Sequence, residues 1–140
     1  MEVTRGLVEQ AVAAFGRLDV AVANAGITMH CDFLDYRPED FDRLLAVNLR
    51  GSFFLAQAAA RRFREQGTAG RVLFLSSVTG HLAIRQMAAY GMTKAALEAL
   101  ARNLSLEMAP LGTTVNAIAP GATVTPRTVS DAAWEQAWAE

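Results

Sequence analysis

A tyrosine and a lysine four residues apart, Tyr90 and Lys94, are the residues whose types and spacing most clearly suggest chemistry. Lys94 is the only lysine in the chain, since every other basic residue among the 13 Lys and Arg is an arginine. Such a composition suggests that this position requires a compact ammonium and not a planar guanidinium. On a helix, residues four apart lie on one face, one turn from each other. A solvated lysine at a helix start is the simpler alternative.

A phenol beside an ammonium is a candidate general acid and base. Phenols titrate near about pH 10, and a cation within a few ångströms favours the ionised form. Tyr90 could then exchange a proton with an alcohol or a carbonyl oxygen. Ser77 directly follows the apolar segment RVLFLS and could donate a hydrogen bond to the same oxygen. No protein side chain accepts a hydride, so a redox reaction here would need a nicotinamide cofactor.

Two polar residues on apolar helix faces need partners. Asn48 lies on the inward stripe of a helix predicted from residue 38 to about 66, and a buried amide without partners is costly. Backbone, water or a functional group could satisfy it, and a purely structural hydrogen bond is the alternative. Lys94 begins the apolar seam of the next helix, and the neighbouring sequence offers its ammonium no acceptor. A bound ligand with hydroxyl groups would supply one.

Helical and strand patterns alternate along the chain. The short apolar runs are typical of parallel strands covered on both faces. We therefore predict an α/β fold: a partial doubly wound Rossmann-type domain over residues 1–140, with a three-stranded parallel sheet and flanking helices. The predicted segments are a helix over 3–15, a strand over 18–23, a helix over 38–66, a strand over 71–75, a helix from 87 to Gly112, a strand over 113–118, and a last helix containing Trp134 and Trp138.

The unusual residues follow the carboxyl ends of the predicted strands. In doubly wound sheets, ligands bind outside this edge. We therefore expect these residues to converge on one site. They are Asn24, Ala25 and Gly26 after the first strand, Ser76 and Ser77 after the second, and Pro120 and Gly121 after the third.

Composition excludes several other classes of function. A net charge of −1 and a pI near 6.1 argue against an electrostatic nucleic-acid partner. No apolar run is long enough to span a bilayer. Cys31 is the single cysteine, so no internal disulfide can form, which fits a cytoplasmic protein. With only His30 and His81 beside it, a transition-metal site lacks ligands.

Five segments together resemble one known family. LDVAVANAG is similar to LDVLVNNAG of the short-chain dehydrogenase/reductase family, and VNLRG and LSSVTG resemble the family segments with its active-site asparagine and serine. YGMTK has the family's Tyr-x-x-x-Lys pattern, and NAIAPGATVTP resembles the strand and turn that hold the nicotinamide. Order and spacing agree over nearly the whole chain.

The resemblance implies an NAD(P)-dependent oxidoreductase acting on a small alcohol or carbonyl compound. Tyr90 would move the substrate proton, Lys94 would bind the nicotinamide ribose, Ser77 would orient the carbonyl, and Asn48 would hold a water in a proton relay. The helices over 38–66 and 88–109 resemble those that form homodimers or homotetramers in the family. The residues that would contact NAD or NADP are Asn24, Ala25, Gly26, Tyr90, Lys94, Pro120, Gly121, Thr123 and Thr125.

Two departures from the family pattern affect these expectations. Ala23 replaces the first asparagine of the family's Asn-Asn-Ala-Gly. The family's glycine-rich Thr-Gly-x-x-x-Gly-x-Gly turn and its last strand have no counterpart, which suggests a chain truncated at both ends. An inactive remnant that serves as an oligomerisation or binding module is therefore the alternative function. The sequence leaves open the choice of NAD or NADP, and the substrate among 3-oxoacyl thioesters, sugars, steroids and small ketones.

Overall fold

Helices and strands alternate along residues 2–123, the part of the chain that this computed structural model describes. The predicted helix with Trp134 and Trp138 lies outside the described residues, as does Thr125. Short 3-10 turns occur at Phe33–Asp35, Val78–Gly80 and Ala109–Leu111. The longer elements are α1 (Glu2–Phe15), β1 (Val20–Ala23), α2 (Pro38–Leu45), a π-helical segment (Ala46–Gly51), α3 (Ser52–Gln66), β2 (Arg71–Leu75), α4 (Ala88–Met108) and β3 (Thr114–Ile118).

The three strands form one parallel sheet in the order β1-β2-β3. Arg71 of β2 is paired with Val20 on one side and with Thr114 on the other. Neighbouring parallel strands require long crossover connections. Helices α2 and α3 form the crossover from β1 to β2, and α4 forms the one from β2 to β3. The predicted α/β fold class with a three-stranded parallel sheet is confirmed.

The helix boundaries follow from the local sequence. Pro38 occupies the first turn of α2 together with Glu39 and Asp40, where a missing amide proton and negative charges are both favourable. Gly67 ends α3 with a φ of 65°, a left-handed conformation that costs glycine little. Both boundaries were predicted from these residue types.

The prediction of one regular helix over 38–66 is wrong at its centre. The segment Ala46–Gly51 is π-helical and contains Asn48. Such π segments occur frequently at functional sites. The hydrophobic period does not reveal this segment, because it covers only six residues within a long helical stretch.

The hydrophobic core lies on one face of the sheet. Helices α3 and α4 both pack on this face. Each strand is added on the same side of the one before it, and right-handed crossovers then place successive helices on the same face of the sheet. The core residues are Ala21, Ala23, Val72, Phe74 and Val115 of the sheet, Ala56, Ala59 and Phe63 of α3, and Leu97, Ala101 and Met108 of α4.

The expectation that the strands are covered on both faces is wrong for the described residues. Val20, Val22 and Ile118 are 54%, 46% and 48% exposed, and they lie on the face away from α3 and α4. A continuous apolar run predicts burial of both faces, but burial also requires a second helical layer. Within residues 2–123 that layer is present on one side only.

Candidate active site

The carboxyl ends of β2 and β3 are joined by backbone hydrogen bonds beyond the strands. The amide of Ser76 donates to the carbonyl of Ile118 at 2.7 Å, and that of Val78 donates to Pro120 at 3.0 Å. Gly121 lies beside Val78, because a Cβ built on this glycine would be 3.7 Å from Val78 Cγ1. Ser77 and the Pro120-Gly121 turn are therefore neighbours, as expected for residues that follow the carboxyl ends of parallel strands.

The end of β1 is held to the same edge by Asn48. This side chain is fully buried and pairs with both backbone groups of Ile27: its Oδ1 accepts from the amide at 2.8 Å, and its Nδ2 donates to the carbonyl at 2.9 Å. The second Nδ2 proton faces Thr93 Oγ1 at 3.3 Å. Thr93 in turn donates to the carbonyl of Tyr90 at 2.7 Å. Asn48 thus links the loop after β1 to the first turn of α4.

Lys94 is buried at the junction of these elements, with 5% of its surface exposed. Its Nζ donates to the carbonyl of Leu75 at 2.6 Å and lies 5.4 Å from the centroid of the Tyr90 ring. The neighbouring sequence supplies no acceptor, as expected, but the fold provides one without a ligand. The last carbonyl of β2 provides one, and it is distant in sequence but adjacent in the fold. Two ammonium protons remain for other acceptors.

Ser77 and Tyr90 are both half-buried, and the Tyr90 ring lies beside Lys94. The Ser77 hydroxyl oxygen accepts from the amide of Thr79 at 3.2 Å and so caps the turn Val78–Gly80. That turn packs directly on the start of α4, where a Cβ on Gly91 would lie only 2.7 Å from the Thr79 carbonyl oxygen. The serine is therefore positioned by a turn that contacts the residue following the tyrosine.

The residues predicted to border a dinucleotide are accessible. Asn24, Ala25 and Gly26 are exposed, and a Cβ on Gly26 would be 3.4 Å from Asn48 Oδ1 and 3.7 Å from Lys94 Nζ. The backbone of Gly26 therefore lies next to the buried amide of Asn48 and the ammonium of Lys94. A ligand with hydroxyl groups fits this donor set, because Lys94 keeps two unused protons. The predicted residues Pro120, Gly121 and Thr123 are likewise exposed.

Sequence reasoning missed three groups that position the site: the backbone of Ile27, the carbonyl of Leu75 and the hydroxyl of Thr93. Backbone groups carry no sequence signal. Thr93 offers one, since a threonine within a helix and three residues after Tyr90 can hydrogen-bond back to the preceding turn.

The second tyrosine in the chain, Tyr36, lies near Cys31 and Asp40. Burial raises the pKa of Tyr36, and the nearby Cys31 and Asp40 raise it further because they disfavour a phenolate. Its hydroxyl is buried without a hydrogen-bond partner among the described residues. Tyr36 is therefore a poor acid–base catalyst and a useful reference for Tyr90.

Burial lowers the pKa of Lys94 from its ordinary value of 10.5. Between the lowered folded-state pKa and 10.5, the unfolded chain binds more protons than the folded chain, so the free energy of unfolding should rise with pH. Below the lowered pKa, burial of the charged ammonium destabilises the folded chain by its full amount. Between the lowered pKa and 10.5 this destabilisation disappears as the buried amine loses its proton.

Urea unfolding of the wild type and of Lys94→Met from neutral pH to pH 10.5 measures this effect. Both proteins retain the same tyrosines, and the variant contains no lysine, so the difference between the two curves reports on Lys94 alone. We expect the wild type to gain stability relative to the variant as the pH rises. Parallel curves would show that burial does not disfavour the charged form.

Two further classes of site are not found in residues 2–123. No helix in this range is long and apolar enough to cross a membrane. In the same range, no three His, Cys, Asp or Glu residues lie close enough together to hold a metal ion.

Known proteins share this sequence pattern and this arrangement. A family model described as Enoyl-(Acyl carrier protein) reductase matches residues 2–139. A short-chain dehydrogenase/reductase of Armillaria gallica is 39% identical over 120 residues, which are 86% of this chain and 46% of that protein. L-rhamnose 1-dehydrogenase (NAD(P)(+)) of Azotobacter vinelandii is 40% identical over 85% of this chain and 46% of its own length.

The fold is similarly matched by solved structures. The crystal structure of a gluconate 5-dehydrogenase from Burkholderia cenocepacia, in complex with NADP and tartrate, has a TM-score of 0.85 and 34% identity. The match covers 94% of this chain and 52% of that protein, so the chain spans about half the length of its relatives. Sequence motifs, strand order and these matches agree. The chain therefore belongs to the short-chain dehydrogenase/reductase family.

Proposed function

We propose that this chain carries the acid–base centre of an NAD(P)-dependent oxidoreductase that interconverts an alcohol and a carbonyl. The observation that carries the proposal is the burial of the chain's only lysine beside the Tyr90 ring, at the edge where Ser77 and the Asn48-bound loop also lie. A solvated lysine at a helix start would not be 5% exposed and bonded to a strand carbonyl.

Tyr90 is assigned the proton transfer. Its hydroxyl would give a proton to a carbonyl oxygen during reduction and remove one from an alcohol during oxidation. The Lys94 ammonium favours negative charge on nearby oxygens, and its bond to Leu75 holds it in place while the proton moves. Positioned charge of this kind stabilises a transition state without reorganisation.

Ser77 and Asn48 are assigned to the substrate carbonyl and to the scaffold. The Ser77 hydroxyl accepts from the Thr79 amide, so its own proton remains available to donate to a substrate oxygen. Asn48 uses both amide protons within the protein, while its Oδ1 can accept a second hydrogen bond, which is compatible with a relay water.

The dinucleotide would supply the hydride acceptor or donor. Lys94 and Tyr90 would hold its ribose. The exposed residues Asn24, Ala25, Gly26, Pro120, Gly121 and Thr123 would border it, together with Thr125, which lies outside the described residues. The position of the exposed Gly26 next to Asn48 and Lys94 supports this assignment, because a group that borders Gly26 would also lie near the ammonium.

Titration of the purified chain with NADH and NADPH, followed by turnover assays with a 3-oxoacyl thioester, a sugar and a small ketone, tests the function. We expect saturable binding of at least one dinucleotide and its oxidation by at least one carbonyl class. Absence of both binding and turnover would refute the proposal for this chain and favour a binding module without catalytic activity.

We further propose that the chain forms a homodimer through the outer groove between α3 and α4. The groove has a cavity of about 220 Å³ lined by Phe53, Leu100, Leu104, Met108 and Leu111, with Arg61, Arg64 and Glu107 at its border. Two copies related by a two-fold axis would bring the arginines of each near Glu107 of the other, a self-complementary arrangement.

Leu104→Asp should shift the chain toward monomer, because a carboxylate would be buried in the apolar centre of that interface. Sedimentation equilibrium measures the shift. Leu82→Asp is the control, since Leu82 is exposed and outside the groove. Equal dissociation of both variants, or of neither, would contradict an interface in this groove.

A further inference from the structure

A buried carboxylate on α4 lies directly behind the proposed catalytic residues. Glu98 follows Lys94 by one helical turn, and its side chain is 11% exposed. Its Oε1 accepts from the Ser76 hydroxyl at 2.6 Å and lies 2.9 Å from Nε2 of His81. The Ser76 Oγ is also 3.0 Å from the Lys94 carbonyl. One carboxylate thus connects the end of β2, the turn that follows it and α4.

The turn is shaped to admit this carboxylate. A Cβ built on Gly80 would be 3.1 Å from Glu98 Oε1 and 3.3 Å from the carbonyl carbon of Lys94. Any side chain at this position would crowd both the carboxylate and the helix backbone. A glycine therefore allows the turn after Ser77 to lie against α4 with Glu98 reaching through to Ser76.

The arrangement holds Lys94 from two sides. Its backbone carbonyl is contacted by the Ser76 hydroxyl, and its ammonium donates to the carbonyl of Leu75, the preceding residue of the strand end. A largely buried carboxylate requires donors, and here it has a hydroxyl and an imidazole N–H. Hydrogen bonds to a charged acceptor are about twice as strong as neutral ones, so this contact orders the residues that share it.

We propose, resting on the proposed function, that Glu98 is a positioning residue for the reaction. Through Ser76, Glu98 sets the position of the adjacent Ser77 relative to Lys94. It also sets the position of Ser77 relative to Tyr90, which lies one turn before Lys94 on the same helix. Glu98 does not face the substrate in this assignment. It acts on the distance between the substrate-orienting hydroxyl and the acid–base pair.

Glu98→Ala and Glu98→Gln in the full chain test this role. Glu9→Ala and Glu9→Gln are matched controls, because Glu9 is exposed on α1, outside the site and the groove. The first readout is NMR of the free chain. Glu98→Ala should shift the amide resonances of Ser76 to Thr79 and raise their hydrogen-exchange rates at least tenfold. Glu98→Gln keeps an acceptor for Ser76 and should restore most of the wild-type pattern, while both Glu9 variants should leave it unchanged.

The second readout is kinetic. Glu98→Ala should lower kcat by about 10- to 100-fold with dinucleotide affinity preserved, because small misplacements of catalytic groups are costly. Ser76→Ala, which removes only the hydroxyl, should reproduce the amide shifts if Glu98→Ala does not fold.

If the Ser76 to Thr79 amides of Glu98→Ala match those of the Glu9 variants, the proposal is overturned. Equal losses of kcat in Glu98→Ala and Glu98→Gln would also overturn it. Failure of the wild type to bind a dinucleotide or to turn over would instead refute the proposed function. The NMR comparison on the free chain still decides the positioning role in that case.

Discussion

Tyr90→Phe should lower turnover by about 10²- to 10⁴-fold, the range that a positioned general acid–base contributes. The substitution removes one oxygen and leaves the ring that lies 5.4 Å from Lys94 Nζ. Tyr90 is tied to its surroundings through its backbone carbonyl, which accepts from Thr93, and through this ring. Both contacts persist in the variant, so the free energy of unfolding should change by less than about 0.5 kcal/mol.

Tyr36→Phe is a matched control, because the chain contains two tyrosines and the same atom is removed from each. The Tyr36 hydroxyl is buried without a partner among the described residues, so its loss should be neutral or slightly stabilising. Its raised pKa keeps it protonated, and turnover should be retained. Steady-state kinetics and urea unfolding of both variants provide the measurement.

Equal losses of turnover in the two tyrosine variants would contradict the assignment of Tyr90. So would a Tyr90→Phe protein that is as active as the wild type. Dinucleotide titration of Tyr90→Phe distinguishes a loss of catalysis from a loss of cofactor binding. We expect a large decrease in turnover and only a small change in dinucleotide affinity.

Gly91→Ala should damage the site through the backbone. The added Cβ would lie 2.7 Å from the carbonyl oxygen of Thr79, closer than real Cβ contacts allow, and a backbone atom cannot rotate away. Overpacking of this kind costs about 1–3 kcal/mol. The higher helix propensity of alanine offsets about 1 kcal/mol, so a net loss of stability is expected.

The turnover of Gly91→Ala should fall by more than its loss of folded protein alone would cause. Relief of the clash separates the start of α4 from the turn Val78–Gly80, and with it Tyr90 from Ser77. A displacement of about 1 Å in a catalytic constellation can cost about 10²-fold in rate. We therefore expect about a 10²-fold lower kcat at temperatures where the variant remains folded.

Gly6→Ala is the control for this substitution. Gly6 lies within α1, and a Cβ there has nothing within 4 Å, so alanine should stabilise the chain by up to about 1 kcal/mol and leave turnover unchanged. Thermal unfolding should show a lower stability for Gly91→Ala and a higher stability for Gly6→Ala. Kinetics should show a loss of turnover in Gly91→Ala only. A stabilised and active Gly91→Ala protein would mean that the turn is not packed on α4 as described.

Local residue types were sufficient to predict the three strands and the main helices of residues 2–123 in their chain order, except for the π-helical segment Ala46–Gly51. Pro38 with the acids after it marked the start of α2, and Gly67 marked the end of α3, because both effects act within a single helical turn. The parallel direction of the strands followed from the alternation of strands and helices, since parallel neighbours need crossovers, whereas the spatial order β1-β2-β3 was not predicted. The convergence of the loop after β1, Ser77 and the Pro120-Gly121 turn at one edge was a consequence of the parallel direction.

Tertiary structure alone decided how the polar residues are satisfied and which faces are covered. The acceptor for Lys94 is the carbonyl of Leu75, and the partners of Asn48 include the backbone of Ile27. Every residue carries the same backbone groups, so no residue type marks them. The π segment around Asn48 and the exposed face with Val20 and Val22 have the same origin. Each of these features depends on which other part of the chain packs next to it. A pattern of residue types shows which apolar and hydrogen-bonding groups a segment offers, but not which segment contacts them in the fold.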